Sequence, residues 1–523
     1  MKTVLYSLLL CFLSSAESYK VLIYSPRFGA SHVSFMGKVA DILVQNGLDV
    51  TVLLPVMNPV AHSNGTKLAK TILIDTDPEV AKHFQTFTML SAIWRASHDN
   101  PIAEKISMDF VRDCHVEQCK TNLRQKELLE FLKKEKFDLG ISEVFDMCGL
   151  GIFEAIGVKK HIIVQTALMP EKVGQIFGVP NLPAVVPAYF SHKGMSMSYY
   201  ERALNLFKTV FGTMWTDSVR DAMEQIYENA FGRKLDIYQK IHEASFVITN
   251  TDPLIDFPRP SSERIVNIGG ISVPEPKPLN AHWEKVVTAR KTTVLISFGS
   301  VAQSRFMPDG MKQALLETFK RFPEVTFIFK YEEKADELAK GIPNVVISSW
   351  VPQNNLLNHP NLKLFITHAG MNSLLETCRR GVPILAIPLF ADQMRNAAAV
   401  RRLGNSLVLD KSNLYNVDVI ESNIRQLLEN ESFRNNASLL SKMIKNRPRN
   451  LKSELVNYVK FAAEFGSPQE FRFPQVSFVQ YYMLDILIPL ILVSVFILLG
   501  LLLVMAKLAG WVIISQRVKA KTL

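Results

Sequence analysis

Trp350-Val-Pro-Gln353 opens a stretch that runs on through Phe365-Ile-Thr-His368-Ala-Gly370-Met-Asn372-Ser373-Leu-Leu-Glu376. It closes on Gly381-Val-Pro383-Ile-Leu-Ala-Ile-Pro388-Leu-Phe-Ala-Asp392-Gln393. An apolar run that ends at Thr367 reads as a strand. A glycine turn follows, then a helix that can lay Leu374, Leu375 and Cys378 against a sheet. Strand, turn and helix in that order leave backbone N–H groups free at a helix start, where they bind anions. His368 adds a polar side chain there, and Gly370 allows close approach of the backbone. Trp350 offers a face for a base, Gln353 an amide for its edge, and Glu376 and Asp392 are acceptors for sugar hydroxyls. One segment therefore supplies a base platform, a phosphate cradle and sugar contacts.

Outward from this segment, β-branched runs alternate with helical patterns. Strands are predicted at 20–24, 49–54, 137–142, 161–165 and 246–249, and again at 293–298, 325–330, 344–348, 362–367 and 383–387. Helices are predicted at 33–46, 311–322, 373–380 and 392–403. Such alternation argues for parallel, doubly wound sheets. Gly269-Gly270 with Pro274, Pro276 and Pro278 marks a linker at 269–290, between a first domain at 19–268 and a second at 291–445. Residues 169–240, rich in Met and aromatics, read either as a helical insertion or as a greasy lining for apolar acceptors. A helix at 450–465 begins a membrane-proximal segment, 446–485, whose Phe and Tyr suit a membrane interface.

The 523 residues carry a formal charge of +10 but no basic stripe with interleaved aromatics, so no nucleic-acid partner is expected. A lysine, a short apolar run and small residues through Ala16 predict a signal peptide over 1–18. The apolar run 486–506 is long enough to span a bilayer. After it come Lys507, Arg517, Lys519 and Lys521 without an acid, which predicts a cytosolic tail at 507–523 and a lumenal bulk. Lys519-Ala-Lys521 near the C-terminus resembles a dilysine retrieval signal. Asn64, Asn430 and Asn436 begin glycosylation sequons. The cysteines show no zinc-ligand spacing. Cys114 and Cys119 either form a disulfide or remain as buried thiols.

The order Trp-x-Pro-Gln, then Thr-His-x-Gly-x-Asn-Ser-x-x-Glu, then Pro-x-x-x-x-Pro-x-x-x-Asp-Gln resembles the signature of the UDP-glucuronosyltransferase family. The resemblance implies an α/β GT-B fold, with two facing doubly wound Rossmann-like domains, here with one C-terminal transmembrane helix. It implies that Trp350 stacks on uracil, Gln353 meets the base or ribose, and Glu376 takes the ribose hydroxyls. His368, Asn372, Ser373 and Ser300 would hold the diphosphate, with Gly370 at the turn. Asp392 and Gln393 would hold the sugar. From the residues alone, Asn372 and Ser373 could equally be helix caps. Arg259, in Phe257-Pro-Arg-Pro260, matches an arginine aimed at a glucuronate carboxylate, or simply shapes a loop.

His32 follows the first strand and opens a helix, a place that disfavours an imidazolium and suits a general base. The acid that assists it in the family is usually Asp. Here the matching position is Glu143, with Asp146 as the reserve. The implied reaction is an inverting transfer of glucuronate or glucose from UDP to a hydroxyl of a lipophilic small molecule. No tightly bound cofactor and no metal are expected, since UDP-glucuronate or UDP-glucose is a co-substrate. The expected setting is the endoplasmic-reticulum membrane, with assembly into homo- or hetero-oligomers left open. A dedicated lipid or sterol transferase and a catalytically silent partner of a homologue are the competing readings.

Overall fold

The computed structural model describes residues 18–58, 63–85, 93–95, 101–333 and 338–520. The signal-peptide expectation, Cys11 included, falls outside the described residues except at Ser18, and so does Lys521. The chain divides into two compact units, one ending at Arg472 and one beginning at Phe473.

The first unit is built on two all-parallel sheets. The first holds β1 (Lys20–Tyr24), β2 (Asp49–Pro55), β3 (Lys70–Ile74), β4 (Leu139–Glu143), β5 (His161–Gln165), β6 (Val247–Thr249) and β7 (Ile265–Asn267) in the order β3-β2-β1-β4-β5-β6-β7. The second holds β8 (Thr292–Ser297), β9 (Val325–Lys330), β10 (Val345–Ser348), β11 (Leu362–Thr367), β12 (Ile384–Ala386) and β13 (Ser406–Val408) in the order β10-β9-β8-β11-β12-β13. Both orders reverse direction beside their first strand, between β1 and β4 and between β8 and β11. Ligands of open α/β sheets bind at such switch points, beyond the strand C-termini.

Three strands were not anticipated. β3 is an edge strand with mostly exposed residues, while β7 and β13 have three residues each. Such short or half-wet strands carry little apolar pattern. The central strands β1, β4, β5 and β9 are buried or nearly so along their length, as parallel strands covered on both faces are.

After the second sheet the chain returns to the first. The helix Leu451–Phe465 sets Leu455, Val456, Val459, Ala462 and Ala463 into the same core as Val21, Ile23, Val39 and Leu43. Lys160 Nζ donates to the carbonyls of Ala463 and Glu464 at the end of this helix, a favourable place for a cation. In the other direction, Ile93 and Trp94 join the core of the second sheet. Trp94 Nε1 donates to the Gln303 carbonyl at 3.1 Å, and the buried Lys411 Nζ donates to the Ile93 carbonyl at 2.7 Å.

The cysteine pairing differs from the expectation. Cys119 is bonded to Cys148, with Cα atoms 5.8 Å apart, and Cys114 is a free, buried thiol. Cys114 and Cys119 share the helix Pro101–Arg124. Five residues along a helix turn the side chains roughly 140° apart, so they point to different faces.

In the second unit, the helix Leu484–Lys519 is 36 residues long, about 54 Å at the α-helical rise. Its residues 484–518 are long and apolar enough to cross a membrane. The helix does not stop at Ala506: Leu508 to Ile514 are again mostly apolar, so most of the expected tail is helical too.

Candidate active site

Two crevice ends meet in the first unit. At the end of β11, Ala369 takes a left-handed φ of +63°, and the helix Met371–Arg380 starts after Gly370. That helix start has no side-chain cap. Asn372 and Ser373 lie inside its first turn, so neither is its N-cap residue, and the first N–H groups remain available for an anion. The His368 ring lies between two glycines. A Cβ on Gly299, whose φ is +84°, would come within 2.8 Å of the ring, and one on Gly370 within 2.6 Å. Burial pushes the His368 pKa down to about 4, helped by nearby Lys330 and opposed by a hydrogen bond to the Ser297 backbone. Lys330 Nζ itself donates to the Gly299 carbonyl at 2.6 Å. Ser300 stands exposed on the same loop.

Beside this turn, Gln353 Nε2 donates to Glu376 Oε2 at 2.7 Å and reaches Ser373 Oγ at 3.4 Å. Burial raises the Glu376 pKa. Trp350 is 76% exposed, an open aromatic face. Asp392 follows Ala391, another left-handed residue at +54°, and accepts from Asn396 Nδ2 at 2.8 Å. Gln393 spends its carbonyl oxygen on the N–H groups of Leu389 and Phe390, which leaves its Nε2 for other contacts.

The first sheet contributes His32, whose Nδ1 lies 2.5 Å from Glu143 Oε1. Thr166 Oγ1 lies 2.5 Å from the same Nδ1 and donates to Glu143 Oε1. Burial alone would lower the His32 pKa. The charge and hydrogen bond of Glu143, with a contribution from Asp392, outweigh it and raise the pKa. Asp146 is not the partner. It accepts from Tyr24 Oη and the Cys148 N–H, and burial lifts its pKa to about 7. Met147 beside it is left-handed, at φ +62°. Left-handed backbone outside glycine costs about 1–3 kcal/mol per residue and clusters at functional sites. Among the described residues, three of the five such residues, Met147, Ala369 and Ala391, border this crevice.

The halves touch here. Asn372 Nδ2 donates to the Ser31 carbonyl at 3.3 Å, and Asn250 Nδ2 donates to Asn372 Oδ1 at 2.7 Å. Beside His32 stands an aromatic group: Phe28 at 4.4 Å between ring centres and Phe145 at 5.9 Å, with His115 and Trp215 packed on Phe145. His115 is held neutral, its pKa pushed down to about 4 by burial. Arg259 is set differently from the other candidates. It faces Asp256 Oδ2 at 3.8 Å, and Asp256 is also paired with Arg395 at 2.5 Å.

Thr166, Asn250, Phe28 and Phe145 escaped the sequence reading. Thr166 and Asn250 each stand one residue beyond a strand, after β5 and β6, which is the signal that would have found them.

The family model described as UDP-glucoronosyl and UDP-glucosyl transferase matches residues 19–514. The chain belongs to this family. Among the relatives of this transferase is ugt-56 of Caenorhabditis elegans, which carries the UDP-glucuronosyltransferase name. It is 31% identical over 475 residues, 89% of each chain. The fold is GT-B. A glycotransferase of kitacinnamycin superposes with a TM-score of 0.60 at 17% identity, over 86% of this chain and all of that one. Phytolacca americana UGT2, solved with UDP-2-fluoro-glucose and pterostilbene, gives 0.56 at 16% identity, over 85% of this chain and all of that one. The transferase carries one C-terminal helix fit to anchor it in a membrane.

Proposed function

We propose that the chain is an inverting transferase that moves glucuronate, with glucose as the alternative sugar, from UDP to a hydroxyl of a lipophilic small molecule. The observation that carries this is the His32–Glu143 pair at 2.5 Å, with Asp392 and Asn372 of the other half beside it. A base and a sugar-binding carboxylate on opposite walls are what transfer between two bound substrates needs.

In this reading Trp350 carries the uracil, while Gln353 and Glu376 carry the base edge and ribose. His368, Asn372, Ser373, Ser300 and the free N–H groups before Leu374 meet the diphosphate, and Asp392 and Gln393 meet the sugar. The acceptor lies against Phe28 and Phe145. Its oxygen attacks the anomeric carbon as the bond to the UDP oxygen breaks on the opposite face. The hydroxyl proton passes to the free nitrogen of His32, whose new charge Glu143 balances. Fixed donors receive the charge that develops on the leaving diphosphate. Arg259, already near Asp256, would have to exchange that contact to reach a glucuronate carboxylate.

A lumenal, endoplasmic-reticulum setting fits the Cys119–Cys148 disulfide, since such bonds persist in oxidising compartments. Of the three sequons, Asn430 is the exposed one, and its side chain uses only Oδ1, which accepts from the Ser432 N–H as the cap of Glu431–Lys445. Asn436 spends its Nδ2, the glycosylation nitrogen, on Gly404.

The test offers the purified full chain UDP-glucuronate and UDP-glucose in competition, with a panel of phenols, sterols and ceramide. Turnover of several phenols supports the proposal. Turnover of one sterol or ceramide alone replaces it with a dedicated lipid transferase. UDP binding without any turnover replaces it with a silent partner.

A further inference from the structure

Asn250 follows β6, is fully buried, and lies in no part of the donor signature. Its backbone N–H donates to the Gln165 carbonyl at 2.9 Å. Its Nδ2 donates both to the Thr166 carbonyl at 3.1 Å and to Asn372 Oδ1 at 2.7 Å. Asn372 in turn points its own Nδ2 at the Ser31 carbonyl, 3.3 Å away on the first half. Two carboxamides therefore stand in series, and their orientation is chemically determined. A carbonyl can only accept, so Thr166 demands the NH2 end of Asn250. That same NH2 faces Asn372, which must answer with its oxygen. Asn372 is left with its NH2 end on the far side. The arrangement leaves Asn250 Oδ1 buried without a hydrogen-bond partner. Buried polar atoms are rarely left so, and here the two contacts of Nδ2 are kept at the expense of Oδ1.

A diphosphate offers only acceptors. It can be met by the Asn372 NH2 and is repelled by the Asn372 carbonyl oxygen. We propose that Asn250 is a positioning residue that fixes the amide orientation of Asn372, so that the donor-binding helix presents N–H rather than oxygen to the nucleotide diphosphate. The proposal rests on the reading in which Asn372 faces that diphosphate. It also gives the donor site a part from the first half of the chain. The relay starts at the backbone of Thr166, whose hydroxyl lies against His32 and Glu143, so the base cluster and the donor helix share one hydrogen-bonded frame.

The experiment measures UDP affinity of the full chain by calorimetry, with melting temperature as the fold control. Asn250→Asp replaces the donor with a carboxylate, which draws the Asn372 NH2 to itself and turns its oxygen outward. Its Kd for UDP should rise about tenfold or more. Asn250→Ala leaves Asn372 held only by its 3.3 Å bond to the Ser31 carbonyl and should raise Kd by roughly threefold to fivefold. Asn372→Ala should weaken UDP binding about tenfold in the wild-type background and less than about twofold beside either Asn250 change, as coupled residues do. If Asn250→Asp does not fold, the cycle with Asn250→Ala decides alone. A UDP affinity within about twofold of wild type in the Asn250 variants overturns the proposal. So does an Asn372→Ala effect that is the same in every background. A wild-type chain that does not bind UDP overturns the donor-site reading itself, and the proposal with it.

Discussion

His32 and His368 flank the switch points of two sheets that share one strand order, His32 after the first strand of its sheet, β1, and His368 after the fourth strand of the other, β11, and their surroundings drive them in opposite directions. Each follows a strand at the switch point of its sheet and stands at or just before a helix start. Burial lowers the pKa of both. At His32 the Glu143 carboxylate, 2.5 Å away, reverses the effect. At His368 the neighbouring charge is Lys330, which deepens it. One ring is therefore ready to accept and hold a proton, and the other is uncharged until an anion arrives. The sign of the neighbouring charge decides whether the effect of burial on the ring is reversed or deepened.

The largest test of this contrast removes the base. His32→Ala should cut transfer about 10²–10⁴-fold while UDP affinity stays within about twofold of wild type. Unchanged turnover would take His32 out of the chemistry. His368→Ala should have the complementary signature, with kcat falling about 10²-fold, the scale for losing one fixed donor to a developing anion. A loss confined to acceptor binding would place His368 elsewhere.

Glu143→Gln sharpens the comparison by its pH profile. The His32 pKa is raised, and the neutral ring is the working form, so kcat/KM should climb as pH rises through that pKa. Without the Glu143 charge, burial dominates, and the rising limb should move to lower pH. The rate above the limb should fall about tenfold, as the ring loses its counter-charge. A limb that stays in place would mean that Glu143 does not set the His32 pKa. The smallest effect belongs to Asp146. It bonds to Tyr24 and the Cys148 N–H rather than to His32, so Asp146→Asn should change kcat by less than about twofold. A change as large as that of Glu143→Gln would make Asp146 a working partner of the base.

The donor half was readable because its groups lie close in sequence. Trp350, Gln353, His368, Asn372 and Glu376 hang on one strand–turn–helix unit and the segment just before it, so spacing and chemistry appear together. The acceptor half is assembled from the ends of β1, β4, β5 and β6. Their partners are separated by 111 residues between His32 and Glu143 and by 134 between His32 and Thr166. His32 and Glu143 were reachable from their positions after strands and from a family resemblance. Thr166 and Asn250 carry no motif; their place just beyond β5 and β6 marks them as candidates, and the pairing of β5 and β6 beside β4 brings them to His32 and Asn372. The Cys119–Cys148 disulfide was hidden for the same reason. Two cysteines close in sequence invite either a pair or two buried thiols, whereas the helix turns them to different faces and the partner of Cys119, Cys148, stands after β4.

The helix Leu451–Phe465 closes the core of the first sheet with residues made long after it. The chain from 269 to 450 must be synthesised before that face of the sheet is covered, roughly 10 to 40 s at about 5–20 residues per second. During that interval Val21, Ile23, Val39 and their neighbours lack their outer layer. A chain that stops before 451 keeps the helix Ala30–Gln45 on this face but leaves exposed the apolar surface that Leu455, Val456, Val459, Ala462 and Ala463 cover. The order in which the segments leave the ribosome therefore sets when this core can close.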